Sequence, residues 1–470
     1  MDVFELIGGD PEDSSEADES DEESTIDRIE VTYTETKDET FCSTLFRESV
    51  EPAKTIEVPA GADADEATGD EEEEEECPLG CFGEVGADEF NSIYVHHVID
   101  TELPADSVEC CPTVTKGTDG EETRLLACGT YALDAESGTK SGAVRLYRVV
   151  STTQGSIASY LGALGSKAVF EIRWAFPNIL GVVTANSTLD IYRIDASSSF
   201  AADSDESSTA TEHAVELVAS KSVGSDVLDC VHYTAIDFDG DKRESTTPGT
   251  SAIVSQSDGR MTLWSLDDGA LRHRSRWLAH AYTGSAPAEI WCTVFDERDK
   301  RLVWSGADDC KLKSWDLRTP CRSAASETPQ RVHEMGVTSV RTLEQNPSIL
   351  VTGSYDERVR LFDVRNLRRP ISTAAVDGGV WQLRTVPIPS APKAVGIAAA
   401  CMRGGVSVLD LTTSGLAVRA SNAFSNALMY GIEHLGTFAA GSIQMVSCSF
   451  YEHELHFWSV GDSGCDGVVA

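Results

Sequence analysis

The sequence is poor in positive charge: 37 Lys and Arg stand against 78 Asp and Glu in 470 residues, for a formal charge of −41. So acidic a chain repels phosphate backbones, and no basic stripe with interleaved aromatics runs through it, so direct contact with nucleic acid is not expected. Long apolar runs are missing as well. The longest, residues 394–402, falls far short of the roughly 20 residues a membrane helix needs, and acids occupy the first ten residues where a signal peptide is basic. These absences predict a cytoplasmic protein with no membrane attachment. The 13 cysteines include no pair of CxxC motifs, which predicts reduced thiols filling cores and no metal site. Cys77 and Cys81 come nearest to ligand spacing, beside an acidic run.

Catalytic signatures are equally sparse. There is no GxSxG elbow, no P-loop and no HExxH, since His453-Glu-Leu-His456 is one residue short. The Gly-Asp-Ser-Gly of residues 461–464 echoes a protease motif, but it lies in the last ten residues with no room for a surrounding barrel. No spacing implies a cofactor.

What is present is unevenly placed. Residues 1–90 carry 32 Asp and Glu against 4 Lys and Arg, about −28, so the remaining 380 residues hold only about −13. Runs such as Glu71 to Glu76 cannot bury enough apolar surface to offset the entropy of ordering, and a disordered acidic tail over 1–90 is expected. A short C-terminal tail, 461–470, is expected at the other end.

Between them one element recurs: a polar turn, then an alternating strand that ends on an aromatic. Three copies are plain, at residues 255–267, 306–318 and 353–365, and in each a turn aspartate stands six residues before the aromatic: Asp258 and Trp264, Asp309 and Trp315, Asp356 and Phe362. The same ruler finds Asn186 before Tyr192, Arg403 before Leu409, Glu452 before Trp458, and a degenerate copy ending at Tyr147. The markers are separated by 45, 72, 51, 47, 47 and 49 residues, near the length of a four-stranded blade in all but one case. With period-two alternation throughout, this predicts an all-β, seven-bladed WD-repeat β-propeller over 91–460. The long gap is assigned to polar loop insertions at about 197–212 and 237–250. No outer strand for the last blade follows Trp458, so residues 92–99 are expected to supply it and close the ring. The turn residues Asp258, Asp309 and Asp356 are read as structural braces that bond near blade histidines.

The residues between the markers resemble one family, the diphthine methyl ester hydrolases, also called diphthine methyltransferases. The resemblance is carried by residues 99–112 and 125–133, by 304–318, by 333–340, 352–370 and 378–384, and by 446–458. Departures are Cys111 following Cys110 where Trp is expected, Phe362 for Trp, Glu452 for Asp, and a longer stretch between His280 and Glu289-Ile-Trp291. The resemblance implies an enzyme, acting as a monomer, that removes the methyl ester from methylated diphthine on elongation factor 2, ahead of a separate amidation. Its substrate group bears a trimethylammonium cation beside the ester, which acidic or aromatic walls can hold. Hydrolysis then needs a base, and His453 is the first candidate with His333 the second. Glu109, Tyr131, Glu357, Trp381 and Tyr451 are candidates to bind the cation or orient the ester. Repeat pattern alone favours the alternative, a non-catalytic scaffold or adaptor.

Overall fold

A computed structural model of the protein describes residues 79–83, 85, 92–117, 121–152, 155–165, 167–194, 215–222, 231–240, 249–267, 270–284, 286–388, 391, 393–437 and 442–461. Seven four-stranded antiparallel sheets make up the fold, together with one two-stranded ribbon. Among the described residues no helix is long and apolar enough to cross a membrane. The innermost strands of blades 1 to 7 are Ala105–Lys116, Val169–Phe176, Tyr233–Phe238, Ile290–Phe295, Val337–Thr342, Gln382–Pro387 and Met429–Thr437. Six blades are built from consecutive strands. The seventh takes its outermost strand, Ser92–Asp100, from ahead of blade 1, paired in antiparallel register with Glu454–Gly461. The ring therefore closes as expected, and the outer side of Glu454–Gly461 is paired.

Every marker residue lies on the third strand of its blade. Seven clusters of buried apolar residues each join two successive blades and contain one marker packed against the preceding blade; an eighth, small one gathers Tyr131, Ala168 and Ala185. Trp264 joins blades 2 and 3, Trp315 blades 3 and 4, Phe362 blades 4 and 5, Leu409 blades 5 and 6, and Trp458 blades 6 and 7. Tyr147 closes blade 7 onto blade 1, and Tyr192 joins blades 1 and 2. A large apolar side chain at this one position, aromatic in six blades, fills the wedge between two twisted sheets, which is why the repeat spacing is legible in the sequence.

The structure explains one irregularity of the repeat and shifts several of the expected boundaries. The first blade's copy is degenerate because its turn is extended by the ribbon Ala132–Leu133 with Lys140–Ser141. The insertion expected at 237–250 begins inside a strand, since Asp237 and Phe238 end the inner strand of blade 3 and Thr250 begins the next. The extra length between Tyr192 and Trp264 is spread over three connections, 195–214, 222–232 and 239–249, rather than two; residues 197–212 lie outside the described residues. Finally, the 1–90 boundary is too late. Leu79 and Phe82 are 5% and 4% exposed and pack in the cluster between blades 5 and 6, beside Leu343, Ile349 and Ile397. The rest of the expected tails, 1–78 and 462–470, and with them Cys77, lie outside the described residues.

Deleting residues 92–100 would strip the partner from Glu454–Gly461 and expose a hydrogen-bonding edge. The truncated chain is expected to lose its cooperative thermal transition and to elute as aggregates in size-exclusion chromatography. A soluble chain with an unchanged transition would refute the closure.

Candidate active site at the channel mouth

The inner strands begin at one end of the central channel, and a repeated irregularity sets what they present there. In six blades the ladder slips by one residue just after the strand starts, between Ala105 and Ser107, Val169 and Glu171, Tyr233 and Ala235, Ile290 and Cys292, Val337 and Ser339, and Met429 and Gly431. A bulge turns its extra side chain out of the pleat. The extra residues are Asp106, Phe170, Thr234, Trp291, Thr338 and Tyr430; Trp381 holds the matching position in blade 6, just before its inner strand.

Four of those seven are aromatic, and turn residues join them into a wall. Trp381 stacks on Tyr430 at 4.6 Å between ring centroids and lies 5.4 Å from Trp291. Tyr355 sits between the two tryptophans, 6.2 Å from Trp291 and 5.9 Å from Trp381. From Tyr430 the wall continues to Phe450 at 5.3 Å, Tyr131 at 6.1 Å, Phe170 at 5.6 Å and His232 at 5.5 Å. The gap between His232 and Trp291 is occupied by charge. Asp308 accepts the Trp291 indole N–H at 2.6 Å. Lys140, from the ribbon of blade 1, reaches to within 3.4 Å of His232 Nδ1. Glu289 stands two residues before Trp291, where burial and the Asp308 carboxylate, opposed by Lys140, raise it to about 8. Burial also raises Asp308, against the hydrogen bonds from Trp291 and Tyr282. Two carboxyls in one half-buried corner cannot both ionise freely at neutral pH, and a cation at the mouth would relieve both.

Below the mouth lies a solvent-open cavity lined by Asp106, Phe170, Trp291, Trp381 and residues deeper in the channel. Strand alternation places Glu109, Arg173, Asp237, Val294, Arg341, Arg384 and Glu433, one per blade, at a common depth. Arg173 lies 3.5 Å from Glu109 and 4.0 Å from Asp237, and Arg384 lies 2.9 Å from Glu433. Several of these polar groups also tie one blade to the next: Glu109 accepts the Trp174 backbone N–H, Glu171 that of Ile236 and Asp237 that of Phe295.

A WD-repeat family, "WD domain, G-beta repeat", matches residues 327–363, which hold most of blade 5. Diphthine methyltransferase of Mus musculus is 29% identical over 369 residues, covering 73% of this chain and 69% of that protein. The Homo sapiens diphthine methyltransferase is 28% identical over 367 residues, 71% of this chain and 73% of that one. The chain is a WD-repeat propeller similar to the diphthine methyltransferases. A Dictyostelium discoideum diphthine methyltransferase homolog extends the similarity, 28% identical over 315 residues, 62% of this chain and 76% of that protein.

Of the candidates read from the sequence, Trp381 and Tyr131 stand in the aromatic wall, and the exposed Tyr451 touches it through Phe450 at 5.2 Å. Glu109 is buried in the charged layer, engaged with Trp174 and Arg173, away from the mouth. His453 and Glu357 turn out to hold equivalent places. Both are left-handed turn residues, at φ 58° and 62°, matching Gly259 at 71° and Gly405 at 78°. Their carbonyls accept N–H groups of Thr101 and Val376, just beyond the outermost strands of their blades. These bonds tie the two positions to the outer side of the turn, and neither side chain joins the wall. His453 therefore fills a left-handed turn position that glycine takes elsewhere in the ring.

His333 is buried inside blade 5, where Nε2 meets the Thr352 hydroxyl at 3.0 Å; burial and Arg360 push it down to about 3, so it stays neutral. Its counterpart His280 forms the full brace of blade 4. Nδ1–H donates to Asp309 at 2.8 Å, Nε2 lies 2.8 Å from the Ser305 hydroxyl, and that hydroxyl accepts the Trp315 indole N–H at 2.9 Å. Asp356 instead binds Arg360 and the Glu334 backbone N–H, and Asp258 binds Arg260 and Arg276. Sequence reading missed Glu289, Asp308, Tyr355 and Tyr430. The signal for the last was only its place directly before Gly431 at the start of an inner strand, and for Glu289 its place two residues before Trp291; Asp308 is brought to Trp291 by the fold.

Breaking the blade 4 brace removes two buried hydrogen bonds and the packing of the ring, leaving Asp309 to Lys313 and the Lys311 backbone N–H, so His280→Ala is expected to cost ~3 kcal/mol. His333→Ala loses one neutral hydrogen bond and some packing, ~1–2 kcal/mol. Denaturant titration of both variants checks the order. A larger loss for His333→Ala would show that its role is more than the brace seen here.

Proposed function

We propose that the chain hydrolyses the methyl ester of methylated diphthine on elongation factor 2, a cytoplasmic step of diphthamide formation, at the mouth of the propeller channel. The observation that carries this reading is the aromatic wall with Glu289 and Asp308 in its one gap. A quaternary ammonium group has no proton to donate or to lose, so it is recognised through its field, by the faces of Trp and Tyr and by nearby carboxylates. The names of the similar proteins point to the same side chain. An ester beside the cation would lie over the cavity.

Glu289 takes the part that the sequence assigned to His453. With a carboxyl raised toward neutral pH, it is suited to accept a proton from water as hydroxide adds to the ester carbonyl. Methanol then leaves with a proton, and the carboxylate of diphthine remains. Binding of the substrate cation stabilises the ionised form of Glu289, so the base is generated by its own substrate.

Methanol release from the esterified factor tests the assignment. Glu289→Gln is expected to lower turnover by roughly 10²- to 10⁴-fold, the usual share of a general base. His453→Gln is expected to leave turnover near that of the wild type. Because the base works deprotonated, the wild-type rate should rise as pH increases through the region near 8. Asp308→Asn removes the like charge and should move that rise to lower pH. A pH profile indifferent to Asp308→Asn, with full activity in Glu289→Gln, would falsify the catalytic reading and leave the adaptor.

Trp381→Ala should raise KM about 30-fold, the equivalent of ~2 kcal/mol for a desolvated cation–π contact. A factor that binds this variant as tightly as the wild type would place its cation elsewhere.

A further inference from the structure

In the charged layer of the channel one guanidinium stands apart. Arg173 is flanked by Glu109 and Asp237, and Arg384 is paired with Glu433. Arg341 has Val294 on one side and Arg384 on the other, and among the described residues no carboxylate lies in ion-pair range of it. Its Nε donates to the Leu383 carbonyl at 2.8 Å, which fixes the plane of the group. The side chain lines the cavity beneath the aromatic wall, as do Thr338 and Trp381. Burial, then Arg384 and Arg173, disfavour its positive charge, with Glu171 and Asp237 only partly offsetting them. A half-buried guanidinium next to other guanidiniums, lining a cavity, is a site for an anion.

We infer that Arg341 binds the carboxyl end of the ligand whose cation the aromatic wall holds, so that the site recognises a trimethylammonium carboxylate as a pair of opposite charges at two depths. The inference rests on the ester-hydrolysis reading and extends it. Trp381 lines the same cavity, so one small ligand can touch both groups. The methyl ester presents Arg341 with a neutral carbonyl oxygen. Once water has replaced methanol on the acyl carbon, the ligand presents a carboxylate, and the ion pair forms only then. The site therefore favours the hydrolysed form over the ester, and the rate of product release is set here.

The test uses the full chain and three small probes, trimethylammonioacetate, its methyl ester and tetramethylammonium, with binding followed by calorimetry or ligand NMR. The wild-type chain is expected to bind the zwitterion about 10-fold more tightly than the ester, the range of one added charge-assisted contact. Arg341→Met should abolish that preference while leaving tetramethylammonium affinity unchanged, and Arg341→Lys should restore part of it. Thermal unfolding of each variant confirms that the propeller is intact, and Arg341→Gln serves if the Met variant fails to fold. A zwitterion preference that survives Arg341→Met, or no zwitterion binding by the wild-type chain, overturns the inference. Tetramethylammonium binding that is indifferent to Trp381→Ala would instead overturn the reading of the mouth, whatever Arg341 does.

Discussion

The structure depends on a wedge of one large side chain packed between each pair of neighbouring blades. Trp264, Trp315, Phe362, Leu409, Trp458, Tyr147 and Tyr192 each occupy it once, and the seven apolar clusters they anchor make up the core that holds the sheets around the channel. A ring of this kind has no central core. Its stability is the sum of nearest-neighbour contacts, and the last contact exists only if the ends of the chain meet. Pairing of Ser92–Asp100 with Glu454–Gly461 provides that meeting and lets Tyr147 pack against blade 7.

The channel follows from the same constraint. Wedges keep seven inner strands side by side, and the slip in six of the ladders turns one residue per blade into the mouth, with Trp381 at the matching place in blade 6. The polar layer beneath is costly to bury, and the structure offsets much of that cost by giving the carboxylates backbone partners on the next blade. Bracing groups and the candidate site are thus separated by depth and by side of the turn. Histidines inside the blades are neutral braces, whereas perturbed carboxyls collect at the mouth.

Much of the fold was legible because a repeat states the same packing requirement seven times. The six-residue ruler from turn to aromatic measures one turn and half a strand, and it survives wherever the turn is short. It blurred in blade 1, where a ribbon lengthens the turn, and between blades 2 and 3, where three connections share the added length. The tail boundary was misplaced because Leu79 and Phe82 are two apolar residues in an acidic setting, and only the groove between blades 5 and 6 gives them a partner.

The amino-acid sequence by itself determined the strands, the number of blades, the closing strand and the wedge residues, since alternation and spacing are local properties of the chain. Trp381 could be singled out, being conspicuous beside two glycines. Tertiary structure alone decided the site. Glu289 and Asp308 meet across two strands of blade 4 while Lys140 reaches toward them from blade 1, Arg341 is distinctive only for the neighbours it lacks, and His453 is set apart from the aromatic wall at a turn position. Burial, charge at a distance and the direction of a bulged side chain depend on what the other blades bring, and no window of sequence contains them.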